Sequence, residues 1–194
     1  MTMELTDAEV LAAFEGAGAV LSGHFQLTSG RHSATYIQCA RVLEDPALTT
    51  RLAAEIARRV GGGFDLVAAP AVGGIIIGFA VAQALGVKFI FSERQDGCMV
   101  FRRSFDVPED ARVLVVEDVV TTGGSVAEVV ELVRSAGAEA AAVASLIDRG
   151  GEKAFDVAYY PLLRLDVESW EPSACGLCAA GIPLSSPGSR RLSS

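Results

Sequence analysis

The sequence predicts an α/β domain: a central, mostly parallel sheet flanked by helices, with a small N-terminal hood and a flexible β-arm loop. Three observations predict it. Short runs dominated by apolar residues, at 65–69, 87–92, 113–116 and 139–147, alternate with helical segments, as strands buried on both faces do. Two of these runs pass into glycine-containing turns that open a helix, at Gly73-Gly74 and Gly123-Gly124. The length of 194 residues suits one domain with a sizeable core.

Taken in order, Thr6 and Glu9 form a capping box, and Leu5 with Val10 can staple it, so a first helix is expected over 7–15. The stretch 19–43 is mixed, with a short strand at 35–38. Asp45-Pro46 is an N-cap followed by proline at the first helical position, which starts a helix running to Val60. Gly61-Gly62-Gly63 stops it. Strand 65–69 leads through Pro70, Gly73 and Gly74 into an apolar helix ending near Leu85. Strand 87–92 follows. The segment 92–112 is an arm with a hairpin signal at Asp96-Gly97, read as lying outside the core. Strand 113–116, the polar loop 121–125, helix 126–135 and strand 139–147 complete the pattern. A single domain over 1–194 is expected, with residues 1–43 and a C-terminal segment as the hood, 92–112 as the arm and 172–194 as a tail whose last residues are loose.

Composition excludes several classes. Hydrophobic residues at 51% and charged residues at 21% rule out global disorder. A net charge of −8 provides no broad footprint for nucleic acid or an anionic membrane. The apolar stretch 71–85 is too short to span a bilayer, and no export signal precedes it, so a cytoplasmic protein is expected. Cys175 and Cys178 form a C-x-x-C pair, but His24 and His32 are distant in sequence. Zinc needs four ligands, so the favoured reading is two small half-buried residues, with metal or redox duty as the alternative.

The densest chemical signal is 113–125, VLVVEDVVTTGGS. A buried strand ends in Glu117 and Asp118. After Val119 and Val120, a loop of Thr121, Thr122, Gly123, Gly124 and Ser125 enters a helix. Backbone N–H groups at a helix start bind phosphate, and glycine lets it approach. Two carboxylates beside such a cradle would repel phosphate unless they face ribose hydroxyls or a Mg²⁺ carried by the substrate. The constellation asks for a sugar phosphate. A Walker loop and a dinucleotide-binding glycine fingerprint are both absent.

This stretch resembles the signature of type I phosphoribosyltransferases, which bind phosphoribosyl pyrophosphate (PRPP). HFQLTSGRHSATYI (24–37), APAVGG (69–74) and Ile147-Asp148-Arg149 resemble, in the same order, the hood, pyrophosphate loop and base-binding strand end of the orotate-specific members. The resemblance implies the type I phosphoribosyltransferase fold, and transfer of the phosphoribosyl group from PRPP to orotate in UMP biosynthesis, with Mg²⁺. It places PRPP on residues 117–125, Ala71, Gly73, Gly74 and Arg94, and orotate on Thr121, Arg149 and Tyr36. Glu117, Asp118 and Arg94 are the expected catalytic residues, with no direct metal ligand unless Asp118 meets the Mg²⁺. It also implies a homodimer in which the arm closes over the neighbouring subunit's site. The sequence departs from the pattern in the arm: the usual arm lysines and histidine are missing, and Thr28 stands where a lysine is usual. Arg102 and Arg103 supply charge further along, and Lys88 and Lys153 are the only lysines. Alternatives are a purine-base enzyme, a regulator that binds nucleic acid, and a metal or redox sensor.

Overall fold

The computed structural model describes residues 4–27, 29–151 and 154–187. Thr28, Lys153 and the tail end 188–194, for which looseness is expected, lie outside the described residues.

The first helix, α1 (Asp7–Gly16), starts at the predicted capping box, with Glu9 N–H donating to Thr6 Oγ1 and Thr6 N–H to the Glu9 carboxylate. A hairpin follows, made of β1 (Val20–Gln26), absent from the sequence reading, and β2 (His32–Ile37), which contains most of the strand expected at 35–38 and begins three residues earlier. Their burial is irregular, so no clean alternation announced them. A short α2 (Cys39–Leu43) leads to α3 (Pro46–Val60), where the Asp45 carboxylate caps the N–H groups of Ala47 and Leu48.

The core sheet comprises β3 (Leu66–Pro70), β4 (Lys88–Gln95), β5 (Cys98–Phe101), β6 (Arg112–Val120), β7 (Glu139–Asp148) and β8 (Ala158–Arg164). Its order is β5-β4-β3-β6-β7-β8, parallel except for β5. Helix α4 (Gly74–Leu85) connects β3 to β4, and α5 (Gly124–Ser135) connects β6 to β7. The chain winds one way from β3 and the other way from β6. These neighbours form the switch point of the sheet, and a ligand crevice is expected beyond their carboxyl ends.

Strand β6 shows why the sheet is buried on both faces. Leu114 and Val116 pack into the cluster built by α1, α3 and α4, with Phe14, Leu52, Ile56 and Ile77. Val113 and Val115 face the opposite cluster with Val126, Val129, Val130 and Val133 of α5. The period of two thus feeds two cores.

The arm differs from the expectation of a segment outside the core. Asp96 and Gly97 both have positive φ (50° and 87°), which matches the tight hairpin predicted there. The hairpin's second strand, β5, is the edge strand of the main sheet, and Ser92 and Met99 are buried. The Phe91 and Phe105 rings meet edge to face at 5.1 Å. Strand β8 was not foreseen either. Its AYYPLLR sequence carries a proline, which argues against a central strand and is accommodated at this edge.

The C-terminal segment returns to the first hairpin. His32 and Trp170 exchange both backbone hydrogen bonds, and Gln26 N–H donates to Ser185 while Ser185 N–H donates to His24. Arg31 adds side-chain bonds to Ser169 and Glu171. A 3₁₀ turn (Pro172–Ala174) and α6 (Gly176–Ala179) lie within this return. No helix among the described residues is long and apolar enough to cross a membrane.

Candidate active site

A cleft of about 520 Å³ opens at the carboxyl end of β6 and under the β1–β2 hairpin. Of the predicted residues, Tyr36, Glu117, Val119, Val120, Arg149 and the whole loop from Thr121 to Ser125 line it. A second cavity of about 470 Å³, between α3 and β8, shares no residue with these strand ends.

The loop is shaped for close approach of a ligand. Gly123 has φ 74° and precedes α5. A Cβ there would lie 2.6 Å from the Gly151 carbonyl oxygen and 2.4 Å from the Ala154 Cβ, so only glycine fits. The start of α5 carries no side-chain cap, which leaves its N–H groups and positive dipole end to an anion.

Of the two acids, Glu117 lines this cleft and Asp118 does not. Both face the start of α4: a Cβ on Gly73 would come within 2.6 Å of Asp118 Oδ1, and one on Gly74 within 3.1 Å of Glu117 Oε1 and 2.9 Å of the Val116 carbonyl. The glycines are therefore needed by the acids, and the helix start favours negative charge there. Ala71 N–H donates to the Ser92 carbonyl at 2.8 Å, and the Ala71–Val72 peptide is cis. Asp118 is desolvated, which raises its pKa, although Glu117 and the Val119 N–H oppose the rise. Cys39, fully enclosed below, has its thiol pKa raised by burial and by the neighbouring acids.

Arg149 enters from β7. Its N–H donates to the Val120 carbonyl at 2.8 Å, continuing the β6–β7 pairing. Asp148 turns the chain by accepting from Gly150 and Gly151 N–H at 2.9 and 3.1 Å, while its other oxygen meets Arg164. Asp148 therefore holds the loop instead of neutralising Arg149. The Arg149 Nε is buried without a hydrogen-bond partner among the described residues, and burial lowers the guanidinium pKa while Tyr36 and Cys39 oppose this. Burial also raises the Tyr36 hydroxyl pKa.

Five predicted residues, Asp118, Ala71, Gly73, Gly74 and Arg94, are not among those lining the cleft, and Arg94 is turned away to α5. It binds Glu128 of α5 at 2.8 and 3.1 Å and also contacts the Gly97 carbonyl. Arg103 is paired with Glu93. The sequence reading missed Gly151, whose Cβ would lie 2.8 Å from the Thr121 carbonyl. The Gly150-Gly151 pair after Arg149 was the available signal. It also missed Val167 and Ser169 of the cleft wall, which only the return of the C-terminal segment brings there, and gave no site role to Ser29 of the hairpin turn, which lines it too.

The C-x-x-C pair is a further correction. Cys175 is buried, Cys178 is exposed, and both lie against His24 and His32 despite the distance in sequence.

Comparison with known proteins agrees with this geometry. Residues 40–174 match the model of the phosphoribosyl transferase domain. The chain is 48% identical over 186 residues to an orotate phosphoribosyltransferase of Desulforamulus reducens, covering 95% of this chain and 97% of that one. It is 48% identical over 188 residues to the orotate phosphoribosyltransferase of Chlorobaculum parvum, covering 96% and 97%. The crystal structure of orotate phosphoribosyltransferase from Aeropyrum pernix superposes with a TM-score of 0.70 at 28% identity, covering 80% of this chain and 93% of that one. With a glycine loop opening a helix at the sheet's switch point and near full-length relatives of one kind, this chain belongs to the orotate phosphoribosyltransferase family.

Proposed function

We propose that this chain transfers the 5-phosphoribosyl group from PRPP to orotate, giving orotidine 5′-monophosphate and pyrophosphate, a step of UMP biosynthesis. The observation that carries the choice of base is Arg149. A buried guanidinium nitrogen without a partner costs about 1–3 kcal/mol, and the carboxylate or ring carbonyl of a planar pyrimidine supplies the missing acceptor. Tyr36 and Thr121 complete the base site. The 5′-phosphate rests on the loop from Thr121 to Ser125, the ribose diol on Glu117 and Asp118, and the pyrophosphate against Ala71, Gly73 and Gly74.

The ring nitrogen of orotate bonds to C1′ as the C1′–oxygen bond breaks, and the electron pair leaves with pyrophosphate. Positive charge develops on the ribose, as in other glycosyl transfers. Asp118 and Glu117 orient the diol and stabilise that charge without forming a covalent bond. Two hard carboxylates beside a phosphate site suit Mg²⁺ carried by PRPP, with Asp118 as the residue to meet it. When bound, the ion neutralises charge on the leaving group.

Arg94 is proposed to reach pyrophosphate when the arm closes over the site of a second copy. Its present pair with Glu128 is solvent-exposed on both sides, and such pairs contribute about 0–1 kcal/mol, so release is cheap. A homodimer is supported by exposed apolar side chains at the start of α4, Ile76 and Phe79 three positions apart on the helix and Val72 in the turn before it. A cytoplasmic location is consistent with the nucleotide substrates.

The test is loss of orotate ultraviolet absorbance on mixing the protein with PRPP and Mg²⁺. Loss that requires protein and PRPP supports the reading. Consumption of adenine or xanthine in place of orotate overturns the base assignment.

A further inference from the structure

The hood contains a cluster that the transfer reaction does not use. His24 comes from β1, His32 from β2, and Cys175 and Cys178 from the returning C-terminal segment. Their ligating atoms all lie within 4.8 Å of one another. His24 Nε2 is 3.1 Å from His32 Nδ1, 3.5 Å from Cys175 Sγ and 3.7 Å from Cys178 Sγ, and Cys178 Sγ is 3.2 Å from His32 Nδ1. A tetrahedral zinc ion with bonds of about 2.0–2.1 Å to nitrogen and about 2.3 Å to sulfur requires edges of about 3.3 Å (N···N) and about 3.6 Å (N···S). These four edges lie within about 0.4 Å of those values, and the remaining two pairs lie within 4.8 Å.

Hydrogen bonding alone leaves the cluster unbalanced. His24 Nδ1 lies 2.8 Å from the Ile182 carbonyl oxygen. A carbonyl only accepts, so the proton is on Nδ1 and Nε2 presents its lone pair to the cluster. That single lone pair faces three groups, His32 and two thiols. A cation at the centre uses a lone pair from each of the four residues. The Ile182 contact is the outer hydrogen bond that fixes the tautomer of a metal-binding histidine.

We propose that His24, His32, Cys175 and Cys178 bind one zinc ion that fastens the C-terminal segment to the β1–β2 hairpin. Zn²⁺ displaces the two thiol protons, leaving a neutral site of two thiolates and two imidazoles, so burial carries no net charge. The tetrahedral S₂N₂ donor set favours zinc over harder cations. An isolated two-stranded hairpin is marginally stable in water. This one carries Tyr36 over the cleft, and the metal holds both of its strands to the segment that carries Val167 and Ser169. The proposal does not rest on the identity of the base, because its readouts are metal content and spectrum.

The experiment is elemental analysis of the whole chain, purified under reducing conditions without chelator. About one zinc per chain is expected. The double substitution C175S/C178S should abolish zinc retention, whereas C98S, in the exposed β5 position, should keep it. Cobalt exchange keeps the test independent of whether the double variant folds: Co²⁺ in the wild-type chain should give the intense visible bands of a tetrahedral thiolate site. Wild-type chain that holds no zinc and takes up neither zinc nor cobalt when supplied overturns the proposal. So does a two-hydrogen mass loss locating a Cys175–Cys178 disulfide in the freshly purified protein, or zinc retention unaffected by C175S/C178S.

Discussion

Gly73 and Asp118 are packed so closely that no side chain fits between them: a Cβ on Gly73 would stand 2.6 and 2.7 Å from the two Asp118 carboxylate oxygens. Gly73 has φ −59°, so alanine there meets no backbone strain and acts only by pushing on the acid. Since Asp118 is also held by the Val119 N–H at 2.7 Å, it cannot move without losing that bond. G73A is expected to lower kcat/KM for PRPP by about 10²-fold, the cost of displacing a positioned group by about 1 Å. The melting temperature should stay near that of the wild type. Steady-state kinetics and a thermal melt check both, and an unchanged kcat/KM would remove Asp118 from the PRPP site.

Arg149 should separate the two substrates. Its unpartnered Nε awaits an acceptor, and a hydrogen bond to a charged group contributes about 1.5–3 kcal/mol. R149Q is expected to raise the orotate KM by about 10- to 100-fold and to leave PRPP binding, measured by calorimetry, within about twofold. Lysine should rescue little, because a point charge does not replace the planar fork. Equal losses for both substrates would mean that Arg149 supports the loop, not the base.

These two sites differ in how far the sequence disclosed them. The loop from Thr121 to Ser125 is local: strand, acids, glycines and helix start lie within consecutive residues, and each has a physical reason visible in one dimension. Gly73 and Gly74 could be read as turn residues, but their service to Asp118 and Glu117 needs the β3–β6 pairing. The histidine and cysteine cluster was illegible for the same reason. Its histidines and cysteines are separated by more than 140 positions and meet through the backbone bonds that return the C-terminal segment to the hairpin, at His32–Trp170 and at Gln26 and His24 with Ser185. The helices α1 and α3 were legible because their caps are encoded in adjacent residues. Strands β1 and β8 were not, and β2 only over its second half, because they are partly exposed and lack a strict alternation.

Glu55 makes the fold sensitive to acid. It is buried on α3 and accepts from Arg58 Nε and a terminal Arg58 nitrogen at 2.9 and 2.8 Å, and from Arg59 Nε at 2.8 Å. The Arg58 hydrogen bonds, then Arg59, outweigh desolvation and bring its pKa from 4.5 down to about 2. A carboxyl depressed in the folded state stabilises it above the unfolded pKa, and that stability is lost as pH falls through the folded pKa. The shift corresponds to at most about 3 kcal/mol, reduced because Arg58 is partly exposed. E55Q should therefore destabilise the chain by about 2 kcal/mol at pH 7. Its deficit against the wild type should close as the pH falls from 4.5 towards about 2. Denaturant melts across that range check this, and a deficit constant with pH would assign the loss to packing alone.

The arm raises a question of which subunit it serves. Arg94 is tied to Glu128 of its own chain, outside the cleft, whereas Asp118 belongs to the β6 end of the sheet. If Arg94 completes the partner's site, each site in a dimer draws on both copies. D118N should lower kcat by about 10²-fold through lost charge stabilisation without lowering stability. Burial raises the Asp118 pKa, so the carboxylate counts against the fold as pH rises above its ordinary range, and a neutral amide removes that cost. R94A should also be strongly impaired. Mixed after reversible dissociation, the two variants form dimers in which one site has both an intact Asp118 and an intact Arg94. Random exchange makes half the dimers mixed, so activity should recover to about a quarter of wild type. An arm that serves its own chain gives mixed dimers with two damaged sites, and mixing would restore nothing.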